Sequence, residues 1–77
     1  MAITILFFGQ LAELAGTRSM TLSGVKDTDN LKTNLLEKFP ALGNVIFNLA
    51  VDTEIVQENR ELKPGSTVAF LPPFSGG

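Results

Sequence analysis

Residues 2–8 read Ala-Ile-Thr-Ile-Leu-Phe-Phe, and this stretch decides the fold. It is rich in β-branched and aromatic residues, which is typical of a β-strand. Successive side chains of a strand point to opposite faces of the sheet. The two alternating sets are Ile3, Ile5, Phe7 and Thr4, Leu6, Phe8. Because both sets are largely apolar, we predict that this strand is central in its sheet, or that its second face meets a partner.

The clearest helix follows at residues 28–39. Its apolar residues recur at helical spacing and predict one apolar stripe, formed by Leu31, Leu35, Leu36 and Phe39. Thr28 is the preferred N-cap, with Asp27 and Asp29 as rivals, and Pro40 ends the helix. A shorter helix is predicted within residues 9–16, where Gly16 suits the left-handed position that closes a helix.

The rest of the chain predicts a small mixed sheet. The further strand candidates are residues 18–22, 47–51, 54–56 and 67–71. Asp52-Thr53 is a candidate tight turn, and Lys63-Pro-Gly-Ser66 has the type II turn signature. Residues 57–62 read as an irregular crossing that buries Leu62. One main helix and about five strands predict an α+β domain, with the helix packed across one face of the sheet.

Composition limits the chemistry that this chain can perform by itself. Its 77 residues predict a single domain. The absence of Cys and His argues against disulfides and against a zinc or copper site. The net charge of −2 argues against a nucleic-acid partner. No apolar run approaches the roughly 20 residues of a membrane helix, so we expect no membrane association and a cytoplasmic location.

The last six residues, Pro-Pro-Phe-Ser-Gly-Gly, are unlike the rest of the chain. Pro72 and Pro73 would stop the last strand and hold the chain stiff and extended. Phe74 would be an apolar anchor, and Ser75, Gly76 and Gly77 add little bulk. We therefore predict a domain at residues 1–71 and an extended tail at residues 72–77. The tail would enter a partner's active site, where its terminal carboxylate reacts once it is adenylated. The alternative is an ordinary frayed terminus.

Two segments carry a family resemblance. Residues 5–16, Ile-Leu-Phe-Phe-Gly-Gln-Leu-Ala-Glu-Leu-Ala-Gly, and residues 62–77 resemble the small, MoaD-type subunit of molybdopterin synthase. The resemblance covers the whole chain. The Pro-Pro-x-x-Gly-Gly tail separates this family from the thiamine-pathway sulfur carrier ThiS, which has a similar fold. Phe74 is a mild departure, because the family more often has a smaller aliphatic residue there.

The resemblance implies a β-grasp (ubiquitin-like) fold in which the first and last strands are parallel neighbours at the sheet centre. It implies that a MoeB-like adenylyltransferase uses ATP to adenylate Gly77, and that a sulfurtransferase system converts this end to a thiocarboxylate. A large, MoaE-type subunit would receive the tail and build molybdopterin from cyclic pyranopterin monophosphate. The expected assembly has two large and two small subunits. No cofactor would be bound permanently, since ATP is used by the activating enzyme.

Strand alternation also predicts where a partner would dock. If Val68 and Phe70 face the helix, an apolar set remains on the opposite face beside the root of the tail. This set is Leu6, Phe8, Ala69 and Leu71. The alternative interpretation is that these side chains belong to the core of the domain. Asp52 and Glu54 are interpreted as the solvated tip of a hairpin. Ordinary surface charge is the interpretation of Arg18, Arg60 and Lys63, which could also steer an acidic partner.

Two other functions stay open at this point. The chain could carry sulfur for another pathway, such as thiamine, tungsten-pterin or tRNA thiolation. It could also be a ubiquitin-like modifier that is joined to lysine side chains of other proteins. The two prolines before the tail favour the molybdopterin synthase subunit.

Overall fold

The structure is a computed structural model that describes residues 2–73. Within this part of the chain there are five strands, two α-helices and one 3-10 helix. The strands are β1 (Ala2–Phe7), β2 (Ser19–Ser23), β3 (Asn48–Val51), β4 (Glu54–Val56) and β5 (Thr67–Leu71). The helices are α1 (Gln10–Ala15), α2 (Thr28–Lys38) and the 3-10 helix η1 (Pro40–Asn44). The α+β class predicted from the sequence is confirmed.

The strands form one mixed sheet in the order β2-β1-β5-β3-β4. β1 and β5 are parallel, with Leu6 paired to Ala69. The other neighbours are antiparallel. The predicted central position of β1 and its parallel pairing with the last strand are therefore confirmed. Parallel pairing also brings the C-terminal ends of β1 and β5 to the same edge of the sheet.

The core lies between one face of the sheet and the helices. Alternate residues of β1, β3 and β5 point into it, as the period of two in a strand requires. The buried apolar cluster is Ile3, Ile5, Phe7, Leu11, Ala15, Leu31, Leu35, Leu42, Leu49, Val51, Leu62, Val68 and Phe70. The prediction that residues 57–62 bury Leu62 is confirmed. Leu36 is the exception to the predicted stripe of α2: it is 36% exposed, because it lies about 100° around the helix from buried Leu35.

The start of α2 is capped by two separate parts of the chain. Asp27, not the preferred Thr28, is the N-cap, and its carboxylate accepts from the backbone N–H of Asn30 at 2.8 Å. The Asn59 side-chain oxygen accepts from the N–H of Asp29 at 2.8 Å, and the Arg60 carbonyl accepts from the N–H of Thr28 at 2.9 Å. The first three N–H groups of the helix, which have no partner within it, are thereby all satisfied.

The turns follow their sequence signals. Gly16 closes α1 in the left-handed conformation, with φ 76°, as predicted. Gly65 has φ 84°, and Ser66 donates to the Lys63 carbonyl at 3.0 Å, as expected for a type II turn. Asp52 and Thr53 join β3 to β4 as a two-residue loop with φ of 49° and 74°, the signs of a type I′ turn. No helix in the range 2–73 combines the length and the hydropathy needed to cross a bilayer.

Candidate functional site

The face of the sheet opposite the core, which we call the open face, carries an apolar surface. Pairing places one residue from each of four strands, β4, β3, β5 and β1, in a row across it: Ile55 beside Ala50, Ala50 beside Ala69, and Ala69 beside Leu6. Leu71 and Phe8 lie one step further toward the C-terminal ends of β5 and β1. A shallow depression covers this area, lined by Leu6, Phe8, Ala50, Asp52, Thr53, Ile55, Thr67, Ala69 and Leu71.

Two large side chains of the open face are substantially exposed. Phe8 is 45% exposed and Ile55 is 48% exposed. Leu6, Ala69 and Leu71 are half-buried against one another within the sheet. No helix packs on this face within the described residues, since α1, α2 and η1 all contribute to the core on the other side. Exposed apolar side chains on a sheet face that no helix covers are typical of sites that bind a partner.

The root of the tail leaves the sheet beside the open face. β5 ends at Leu71, the boundary at which the tail was predicted to begin. The backbone N–H of Phe8 donates to the Phe70 carbonyl at 3.1 Å, which ties the end of β1 to the end of β5. Pro72 then packs against Gly9, since a Cβ added to Gly9 would lie 3.1 Å from Pro72 Cγ. The open face and the tail root are therefore continuous.

The charged residues considered in the sequence do not form a catalytic cluster. The Asp52 carboxylate is hydrogen-bonded to β5, because it accepts from the backbone N–H of Thr67 at 2.9 Å. Glu54 forms an exposed ion pair with Arg60 at 2.9 Å. This geometry agrees with a solvated hairpin tip. Among the residues that the structure describes, no group of three or more His, Cys, Asp or Glu side chains is arranged to hold a metal ion.

The predicted site residues divide into two groups. The structure brings Leu6, Phe8, Ala69 and Leu71 together on one face beside Pro72, and Pro73 follows as an exposed residue. The predicted roles of Phe74, Ser75, Gly76 and Gly77 stay predictions, because these residues lie outside the described part of the chain. Sequence reasoning missed Ala50 and Ile55, which share the open face. Alternation along residues 47–51 and 54–56 was a usable signal, but the face could be assigned only once the register with β5 was known.

Comparison with known proteins gives one consistent result. The model of the ThiS family matches residues 5–77. A protein of Caenorhabditis briggsae named molybdopterin synthase sulfur carrier subunit is 36% identical over 83 aligned positions, covering 100% of this chain and 99% of that protein. The human protein of the same name is 32% identical over 82 positions, covering 97% of this chain and 93% of that protein.

Solved structures support the same fold. The solution structure of small archaeal modifier protein 1 from Methanosarcina acetivorans has a TM-score of 0.84 at 27% identity, covering 99% of this chain and 96% of that one. Subunit 1 in the complex of subunits 1 and 2 of the molybdopterin-converting factor from Helicobacter pylori has a TM-score of 0.75 at 24% identity, with both chains covered completely. The β-grasp fold expected from the sequence is confirmed.

Proposed function

The chain belongs to the ThiS family, and from this premise we propose that it is the sulfur-carrier subunit of a molybdopterin synthase. The observation that carries the proposal is full-length similarity, at 32–36% identity, to proteins that bear that name. The tail residues Pro72, Pro73, Gly76 and Gly77 fit the pattern that separates this subunit from the thiamine-pathway carrier.

The proposed chemistry takes place at the terminal carboxylate of Gly77. A chain-terminal carboxyl group ordinarily ionises with a pKa of about 3.3–3.7. It is therefore a carboxylate at neutral pH, which is a poor electrophile and needs activation. Attack of this carboxylate on the α-phosphorus of ATP releases pyrophosphate and leaves an acyl-adenylate. Hydrosulfide supplied by a sulfurtransferase system then attacks the acyl carbon, the bond to AMP breaks, and the product is a thiocarboxylate. A MoeB-like adenylyltransferase would catalyse the first step in the cytoplasm.

The large subunit would supply what this chain lacks. With no His and no Cys in its sequence, the chain has neither the commonest acid–base side chain nor a thiol. In the proposed division, a MoaE-type subunit binds cyclic pyranopterin monophosphate and receives the tail. The open face would dock on that subunit, and two copies of each subunit would form the synthase.

The test follows the intact mass of the protein, starting from the form whose Gly77 ends in a carboxylate. Incubation with the activating enzyme, ATP and a sulfur donor should raise the intact mass by the difference between one sulfur and one oxygen atom. Addition of the large subunit and the cyclic pterin should then return the mass to that of the carboxylate while molybdopterin forms. Deletion of Gly77, or an extra residue after it, should abolish both changes without unfolding the domain.

A modifier function is the second candidate, favoured by the likeness to small archaeal modifier protein 1. It predicts adducts between Gly77 and lysine side chains of other proteins in cells. Sulfur transfer to the cyclic pterin by an unprocessed, C-terminally extended chain would contradict the carrier proposal. Thiocarboxylate formation without molybdopterin formation would instead favour a carrier for another pathway.

A further inference from the structure

We propose that Gly9 is a positioning residue for sulfur transfer, because its contact with Pro72 sets the direction in which the C-terminal arm leaves the domain. The arm is defined here as residues 73–77. This inference rests on the proposed function, in which the arm delivers Gly77 to a partner.

The backbone around Gly9 is held from both sides. The N–H of Phe8 donates to the Phe70 carbonyl at 3.1 Å, so the residue before Gly9 is fixed to β5. The Gly9 carbonyl accepts from the N–H of Ala12 at 3.1 Å, which fixes it to the first turn of α1. Gly9 is therefore part of a rigid turn, built on the sheet at one end and on a helix at the other.

Two independent features require glycine at this position. The backbone of Gly9 has φ 58° and ψ −138°, a conformation that residues with a side chain avoid. A Cβ at Gly9 would also lie 3.1 Å from Cγ of Pro72, 3.8 Å from its Cδ and 3.9 Å from its Cβ. The pyrrolidine ring thus packs directly on the bare α-carbon, and any side chain would push the ring by a few tenths of an ångström.

A displacement of the Pro72 ring changes the direction of the backbone that follows it. Proline fixes its own φ, so a push on the ring is passed to the backbone rather than absorbed by a side-chain rotation. A misplacement of about 1 Å can cost a reaction on the order of 100-fold in rate.

Gly16 provides a control at the other end of α1. It also has a positive φ, at 76°, so an alanine there is strained as well. A Cβ at Gly16 would meet nothing within 4 Å. Gly16→Ala therefore places an alanine at a positive φ without the contact with Pro72, although the left-handed conformation of Gly16, with ψ 13°, is less strained for alanine than that of Gly9, with ψ −138°.

The direction of the arm can be measured without any partner. The chain contains no cysteine, so Ser75→Cys gives a single site for a nitroxide spin label. Paramagnetic broadening of the backbone amides of the sheet then reports where the label lies relative to the domain. We expect Gly9→Ala to change the broadening pattern and Gly16→Ala to leave it unchanged. An unchanged pattern in Gly9→Ala would overturn the inference, whether or not the protein transfers sulfur.

The consequence for transfer is tested with the full-length thiocarboxylate at saturating large subunit. Gly9→Ala should slow transfer by about 10-fold or more, whereas Gly16→Ala should transfer at the wild-type rate. Pro72→Ala removes the ring atoms that an added Cβ would strike. The factor by which Gly9→Ala slows transfer should therefore be at least about fivefold smaller in the Pro72→Ala protein than in the wild type. An equal cost in both backgrounds would contradict a positioning contact. An inactive wild-type thiocarboxylate would count against the proposed function instead.

Discussion

Phe8→Asp should weaken binding of the large subunit far more than the loss of one surface side chain ordinarily would. A phenylalanine side chain buries on the order of 200 Å² when it is fully covered, and Phe8 is 45% exposed. About 90 Å² therefore remains available to a partner, which corresponds to about 2 kcal/mol at roughly 25 cal/mol per Å². The affinity should fall by about 30-fold from this area alone, and further because the partner would have to desolvate a carboxylate.

The same substitution also affects folding, so the assay has to separate the two effects. The covered part of Phe8 represents at most about 3 kcal/mol of folding free energy by the same arithmetic, which is an upper bound. Urea unfolding monitored by circular dichroism gives the folded fraction of each variant. Isothermal titration with the large subunit, corrected to that folded fraction, then gives the affinity of the native state.

Leu36→Asp is the control for this prediction. Leu36 is a 36% exposed apolar residue of α2, on the core side of the sheet and away from the open face, so its substitution introduces the same charge on the surface without touching the proposed interface. We expect its affinity to stay within a factor of about two of the wild type, as for surface changes away from a binding site. If Phe8→Asp lowers stability while its folded fraction binds as tightly as the wild type, the Phe8 side chain contributes to folding and not to binding of the large subunit.

Three further predictions concern stability and are measured by urea unfolding. Asn59→Ala should lower the unfolding free energy by about 1–2 kcal/mol, because it removes the acceptor for the N–H of Asp29 at the start of α2. Thr53→Gly should raise it by about 1 kcal/mol, since a β-branched residue at φ 74° is strained. Leu35→Ala should cost about 2–5 kcal/mol, because Leu35 is fully buried and the space it leaves cannot close completely.

Features governed by local periodicity could be predicted from the sequence. Alternation in residues 2–8 separated the core residues of β1 from those of the open face, because the period of a strand is fixed at two. Gly16 and Gly65 marked their turns because glycine tolerates positive φ better than other residues. These signals depend only on neighbours in the chain.

The features that the sequence did not reveal depend on contacts between distant residues. The sequence favoured Thr28 over its rival Asp27 as the N-cap of α2, but the Thr28 hydroxyl accepts instead from the N–H of Arg60 at 2.9 Å, across 32 positions of the chain. Ala50 and Ile55 could be assigned to the open face only once the register of β3 with β5 and with β4 was known. The approach of Pro72 to Gly9 follows from the parallel pairing of β1 with β5, and no local pattern encodes it.

The open face and the tail contribute to different steps of the proposed reaction. Fixing the backbone of a threaded arm costs roughly 1–2 kcal/mol per residue, so five residues would lose on the order of 5–10 kcal/mol. A docking surface that binds independently offsets this cost before the arm enters. Substitutions such as Phe8→Asp should therefore raise the concentration of large subunit needed for half-maximal transfer while leaving the saturated rate nearly unchanged. Gly9→Ala should lower the saturated rate and leave the concentration for half-maximal transfer nearly unchanged, because it leaves the open face intact and changes the direction of the arm.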